Sequence, residues 1–460
     1  MTSNSKNNFN FKKNLFSDAN DRIFHVKKCF QDLSPFIENS QISCGWRNKI
    51  KKVIFLMSSS RGGSSVTSEL LKHSQSFLHF QGEINPALSV VGLTPPNTNS
   101  NCDELTEHDY NEAELDGKID LIEKILSLDI GSPLQYFSSK EEIQQYAAQI
   151  LFRLCLQWPE EIFDVEWALE QSLISLDETN NILGSLINHS NILNFFILFL
   201  SRIRKRHPCI KPVYYDLNIN NSYLNDNDVI NCHCPPSNTI FEEPPFIIIK
   251  PFKIHEKDFY IKQLLIKTPA NNYRINFWKK FFPNASYRII HLTRHPGASI
   301  NGLVDGWKHH GFHYAPVNGL SISGYSDEIP FGDIWWKFDM PPGWEERRTE
   351  SLYNVASFQW SSAHKTLLNL HDVNNIPYFQ IKFEDLFHTN KPSIQSINTL
   401  SKWIFDDYQL GKLAQYSLPP VMSTKPPNHD RWLKRYKEII PYISEKEICY
   451  ISRLLGYKFE

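Results

Sequence analysis

Residues Met1 to Asn20 are rich in Asn and Lys, and 1–50 are read as an N-terminal arm with few apolar anchors. The first continuous apolar run, Lys52-Val53-Ile54-Phe55-Leu56-Met57, is short and bounded by a Ser/Gly cluster, which predicts a buried strand. Val66 to His73 then has helical character, so strand, Gly/Ser loop and helix follow one another. From 86 to 244 the pattern changes. Asn/Pro-rich loops such as Pro95-Pro96-Asn97 separate helical patterns at Leu121 to Leu128, Ile143 to Gln157 and Val165 to Leu176. Ile192 to Leu200 is apolar and runs into Arg202, Arg204, Lys205 and Arg206, predicting a buried helix whose basic end suits the helix dipole. After Pro235-Pro236 and Pro244-Pro245 come short apolar runs at Phe246 to Ile249, Leu264 to Ile266, Tyr287 to Leu292 and Ile376 to Lys382, all predicted strands, with helices from Gly297 and at the end of the chain. Strands alternating with helices imply an α/β fold with a mainly parallel central sheet and ligands at the carboxyl ends of its strands. The core is read as 51–85 and 245–460, interrupted by a large, mostly helical insertion at 86–244.

With 460 residues the chain exceeds one ordinary domain and suits a core plus an insertion. Lys and Arg number 48 against 50 Asp and Glu, a net charge of −2, which argues against bulk electrostatic binding of nucleic acid or membrane. Any anion site must be local. No stretch approaches the ~20 apolar residues that span a bilayer, and Met1 to Asn20 lack a signal-peptide core. The eight cysteines show no framework spacing, and Cys232-His233-Cys234 has no second Cys/His pair nearby, so that cluster reads as a plain loop and no metal is expected. The expected compartment is a reducing cytoplasm.

Chemistry concentrates at two strand-to-helix turns. In Ser58-Ser59-Ser60-Arg61-Gly62-Gly63-Ser64-Ser65, the two glycines let backbone N–H groups approach an anion. The helix start adds free N–H donors. Ser60, Ser64 and Ser65 add hydroxyls, and Arg61 adds a fork that fits phosphate or sulfate oxygens. The G-x-x-x-x-G-K-[ST] spacing is absent, so the lysine and magnesium-binding hydroxyl of that loop have no counterpart. Leu292-Thr293-Arg294-His295-Pro296-Gly297-Ala298-Ser299-Ile300-Asn301 repeats the logic of strand, Arg, turn and helix. Two such elements suit a ligand with two separated anionic groups.

The pair resembles the 5′-phosphosulfate and 3′-phosphate loops of sulfotransferases that use 3′-phosphoadenosine 5′-phosphosulfate (PAPS), especially the bacterial and tyrosylprotein branches. Gln81-Gly82-Glu83 is similar to the stretch that carries the base in that branch. Leu265-Ile266-Lys267-Thr268-Pro269 is similar to its Lys-x-Pro stretch, Phe282-Pro283-Asn284 to the turn that follows, and Ile381-Lys382-Phe383-Glu384-Asp385-Leu386 to its Tyr-Glu-Asp-Leu element. Arg431-Trp432 resembles the segment that closes over the nucleotide. One position departs: where the family usually places a serine for the 3′-phosphate stands Gly302, with Ser299 on the same helical face as a substitute.

The resemblance implies a P-loop-like three-layer fold and transfer of a sulfuryl group to an alcohol, phenol or amine of a small molecule, with adenosine 3′,5′-bisphosphate as product. PAPS would be held by Ser60, Arg61, Gly62, Gly63, Ser64, Ser65, Arg294, Ser299 and Arg431, with no metal required. Glu83 would be the base, with Arg61 and Lys267 neutralising charge on the group in flight. His310 and His313, in Trp307-Lys308-His309-His310-Gly311-Phe312-His313, are runner-up bases. Trp335-Trp336 and Trp344 read either as an aromatic loop over the acceptor or as packing. A kinase or other phosphotransferase, and a non-catalytic nucleotide-binding protein, are the competing classes.

Overall fold

The computed structural model describes residues 19–37, 45–179, 186–215, 235–237, 239–387 and 391–458; Cys232-His233-Cys234 and half of the N-terminal arm lie outside them. The strands are β1 (Lys52–Met57), β2 (Phe77–Phe80), β3 (Ile130–Pro133), β4 (Phe252–Lys253), β5 (Gln263–Lys267), β6 (Ser286–Thr293), β7 (His313–Pro316), β8 (Trp335–Lys337) and β9 (Tyr378–Lys382). Seven of them form one sheet in the order β4-β3-β2-β5-β1-β6-β9. β2, β5, β1, β6 and β9 run parallel, and β3 is antiparallel to both β2 and β4. The helices used below are α1 (Ala19–Ile37), α2 (Ser64–Leu71), α3 (Lys140–Gln157), α4 (Val165–Glu178), α5 (His189–Ile203), α6 (Pro296–Trp307) and α7 (Leu352–Asn374).

β1 is central, and its alternation explains its unbroken apolar run. Val53, Phe55 and Met57 face a core shared with α1 and helices α3–α5, whereas Ile54 and Leu56 face the opposite layer with Leu70, Leu265, Ile290, Leu292 and Leu400. A strand covered on both faces has no polar side to show. A third apolar cluster joins α6, the β7–β8 hairpin and α7.

The structure corrects the sequence reading in one place and sharpens it in two. Phe246 to Ile249 is not a strand; pairing waits until Phe252. No strand pairs with this run among the described residues: the Phe246 amide donates to the Tyr214 carbonyl (2.6 Å), the Tyr146 hydroxyl to the Ile249 carbonyl (2.8 Å), and, just past the run, Gln81 Nε2 to that of Lys250 (3.0 Å). Next, the stretch 86–244, expected to be mostly helical, also supplies β3 to the main sheet, and its apolar side chains share one core with β1. Finally, Trp335 and Trp336 sit in β8 with no exposed surface, so they are packing and not a loop over a pocket.

Two further features bear on expectation. Cys29 of α1 and Cys155 of α3 form a disulfide; their spacing gave no hint of it, and a reducing compartment does not favour such a bond. Among the described residues no helix is long and apolar enough to cross a membrane.

One buried knot ties 86–244 to the core. Arg274 and Asp103 are both without exposed surface and form an ion pair. Asp103 Oδ2 also accepts the Met340 amide (2.6 Å), and the Tyr314 hydroxyl donates to Oδ1. Removing one partner strands the other charge in the interior. Asp103→Ala is therefore expected to cost about 3–5 kcal/mol, read from the midpoint of urea unfolding.

Candidate active site

β1 lies between β5 and β6, so the chain leaves its carboxyl end at the point where connections part to either side, the usual crevice of an open α/β sheet. A cavity of about 1040 Å³ opens there. Every residue singled out for the site lines it except Gly62, Ser299 and the runner-up bases His310 and His313.

The Ser58–Ser65 loop is shaped by backbone. Gly62 N–H donates to the Ser59 carbonyl (3.0 Å), and Gly63, at φ +96°, caps α2. A Cβ on Gly63 would lie 2.3 Å from the Phe383 ring, so φ and space both demand glycine. Arg61 is itself at φ +62°, which costs a non-glycine residue about 1–2 kcal/mol. Contacts offset that strain: Arg61 lies over the Phe312 ring (5.2 Å) and its Nη1 donates to the Met422 carbonyl (2.5 Å).

The second turn meets the first directly. Arg294 Nη1 donates to the Arg61 carbonyl (3.0 Å), with its guanidinium over Phe383 (5.0 Å). Burial pulls the Arg294 pKa below its ordinary value, with Arg431 adding to the effect and Glu384 opposing it. Glu384 organises the turn, its Oε1 accepting the His295 amide (2.9 Å) and its Oε2 the Tyr457 hydroxyl (3.0 Å). Trp432 stacks on His295 and covers Gly297, where a Cβ would come within 2.7 Å of its ring.

Gly302 has a steric reason. A Cβ there would lie 3.3 Å from the Arg61 Cβ, so the bare position seats the Arg61 stem. Ser299 is fully buried, its hydroxyl meets no partner, and it is not on the cavity wall. Sequence reasoning also missed Asp305. This aspartate, one helical turn on, gathers Arg431, Arg435 (2.8 Å) and Lys425 (3.3 Å). Burial works against its ionisation, yet Arg435 and Arg431 outweigh burial and hold its pKa below the usual value. Arg431 and Lys425 belong to the 417–431 segment that walls the cavity.

At the other end, Lys267 from β5 donates to Glu83, just past β2. The insertion reaches this end too, through Arg153, Glu242 and Glu243. Glu243 has a pKa far above the ordinary carboxylate value, first through burial and then through the charge of Glu83. Asp339 is 4% exposed and accepts from Ser60 Oγ (2.5 Å). Burial pushes its pKa up to about 7, with Asp103 adding to the rise and Ser60 opposing it. The nearby Lys337 is pulled down to about 7 by burial, with Glu243 opposing. Sequence reasoning missed Glu243 and Asp339; the only signal was a lone acid in Phe338-Asp339-Met340-Pro341. His309, His310 and His313 are not on the cavity wall, and among the described residues no cluster of ligands suits a metal ion.

No protein-family model and no curated protein matches the chain. Three solved structures are similar to it. The sulfotransferase domain from the curacin biosynthetic pathway is 14% identical, over 89% of this chain and 99% of that one, with a TM-score of 0.36. The sulfotransferase domain of the Synechococcus PCC 7002 olefin synthase is 12% identical, over 89% and 96%, with a TM-score of 0.36. A sulfotransferase from Mycobacterium avium is 12% identical, over 98% and 86%, with a TM-score of 0.34. Likeness this distant carries no functional argument, which rests on the side chains.

Between its ordinary pKa and about 7, folded Asp339 holds a proton that the unfolded chain has released. Stability therefore falls as pH rises through that window. Relative to wild type, Asp339→Asn should lack this decline, which reaches up to about 1.4 kcal/mol per pH unit, measured by urea unfolding from pH 4 to 7.5.

Proposed function

We propose that the chain is a sulfotransferase that moves a sulfuryl group from PAPS to a hydroxyl or amine of a small molecule. The observation that carries this reading is the contact of the two anion turns: the Arg294 guanidinium donates to the Arg61 carbonyl, and both arginines line one cavity with the Glu83–Lys267 pair. Two cationic turns joined this closely suit one ligand with two anionic ends. The cradle fits such a donor, because glycines at 62 and 63 allow close packing on Ser59 and Phe383 that side chains would block, and α2 then starts at Ser64 on the cavity wall.

In this reading the Ser58–Ser65 loop and Arg61 hold the phosphosulfate, while Arg294 and Arg431 hold the 3′-phosphate. Asp305 keeps Arg431 and Lys425 in reserve for it. The donor supplies an activated sulfuryl group with a good leaving phosphate. Transfer is then mainly in-line positioning and charge stabilisation. Glu83 takes the acceptor's proton, and Lys267 neutralises charge on the sulfuryl oxygens. The acceptor enters from the side where Arg153, Glu243 and Ile247 form the wall, so residues from 86–244 and the segment after it shape specificity. A small metabolite or natural product of the cytoplasm is the proposed acceptor; no nucleic acid, membrane or metal takes part in the scheme.

Thermal shift with adenosine 3′,5′-bisphosphate separates the classes. Stabilisation without magnesium is expected in wild type and in Glu83→Gln, and its loss in Arg61→Ala and Arg294→Ala. Glu83→Gln should slow sulfate transfer by ~10²–10⁴-fold. Stabilisation by ATP with magnesium alone would replace this reading with a phosphotransferase; donor binding without transfer to any acceptor in a mixed panel would leave a binding protein.

A further inference from the structure

Glu83 stands opposite an ammonium, whereas a second carboxylate of the cavity stands opposite hydroxyls and other acids. Asp339 lines the cavity although 4% exposed, and its position is fixed on several sides. Its carbonyl accepts the Trp336 indole N–H (3.0 Å) and Gln359 Nε2 of α7 (2.8 Å). The following amide, of Met340, donates to Asp103. Its carboxyl meets Ser60 Oγ at 2.5 Å and stands 3.4 Å from the Tyr273 hydroxyl. The charged groups around it are Asp103, already claimed by Arg274, and Glu243, which also faces Glu83, Lys267 and Lys337. The Lys337 ammonium is turned to the His309 carbonyl. Among the described residues no cation pairs with Asp339. Ser60 is the residue just before Arg61 in the anion loop and lines the same cavity.

We propose that Asp339 and Ser60 form a proton relay to the oxygen that leaves sulfur, opposite Glu83, which collects the acceptor's proton. The inference rests on the sulfotransferase reading. Two carboxyls in one site, one beside a cation and one buried among acids, divide naturally into base and acid. An arriving polyanion strengthens the proton affinity of Asp339 further, since like charge disfavours ionisation. With Asp339 protonated, the hydrogen bond to Ser60 reverses: Asp339 donates to Ser60 Oγ, and the Ser60 hydrogen turns to the ligand. As the acceptor's bond to sulfur forms and the bond from sulfur to the phosphate oxygen breaks, Glu83 receives the acceptor's proton. Ser60 gives its own proton to the departing phosphate and takes that of Asp339. Return of one proton from Glu83 to solvent and uptake of one by Asp339 closes the cycle.

The relay makes predictions of definite sign. Turnover should fall on the alkaline side as Asp339 loses its proton. Asp339→Asn should be slower by ~10²-fold or more, with that alkaline fall abolished. Ser60→Ala should also flatten it while leaving the Asp339 carboxyl intact, which guards against misfolding of the aspartate variant. An independent readout is the isotope-edited infrared spectrum of the wild-type chain at neutral pH. Addition of adenosine 3′,5′-bisphosphate should increase the protonated-carboxyl band that is missing from Asp339→Asn. Three outcomes would overturn the relay: an ionised Asp339 in that complex, an alkaline fall that survives both substitutions, or turnover that rises through the Asp339 titration. A wild-type chain that neither binds the bisphosphate nor transfers sulfate would instead remove the sulfotransferase reading, and the relay with it.

Discussion

The bond from the Arg294 guanidinium to the Arg61 carbonyl is the interaction on which the site depends. It joins the turn after β6 to the turn after β1. It also holds in place a backbone that Arg61 adopts at a cost, with φ in the left-handed region. Phe383 completes the arrangement by carrying Arg294 on its face and filling the space beside Gly63. Glu384, next in sequence, holds the amide of His295. Three strand ends are thereby locked to one another, and the arginines that line the cavity are in position beforehand.

Cations and acids share a single cavity. Arg61, Arg294, Arg431 and Lys425 line it, with Asp305 as the shared counter-charge of Arg431 and Lys425. Glu83, Glu243 and Asp339 line it too, with Lys267 paired to Glu83. A chain with a net charge of −2 can therefore present a local field of either sign. Burial and like-charge crowding raise the proton affinity of Glu243 and Asp339, the kind of perturbation that marks acid–base sites.

Much of the fold was legible because β1, β5 and β6 bury apolar residues on both faces and the helices of 86–244 carry clear periodicity. β2 escaped notice because Phe77-Leu78-His79-Phe80 is interrupted by a buried histidine. The β7–β8 hairpin escaped because Pro316 and a long loop obscure its alternation. Phe246 to Ile249 misled for the opposite reason: apolar and β-branched, it is buried by side chains rather than by a ladder. At the site, the glycines and arginines of the two turns were readable from local order. Asp305 and Asp339 were not, since each acquires its role from partners more than a hundred residues away. Ser299 had the right spacing on its helix, but α6 points it into the core.

The strand β3 carries a consequence of its own. Because residues 130–133 extend the sheet beside β2, and Asp103 is held by Arg274 and Met340, the stretch 86–244 that lines part of the cavity is not a detachable module. Grafting 86–244 wholesale from another protein would unzip a sheet edge and orphan an interior guanidinium. Chimeras meant to redirect this chain should exchange single wall-facing side chains such as Ile247, and leave the scaffold whole, including Arg153 with its buried partners Asp129 and Glu242.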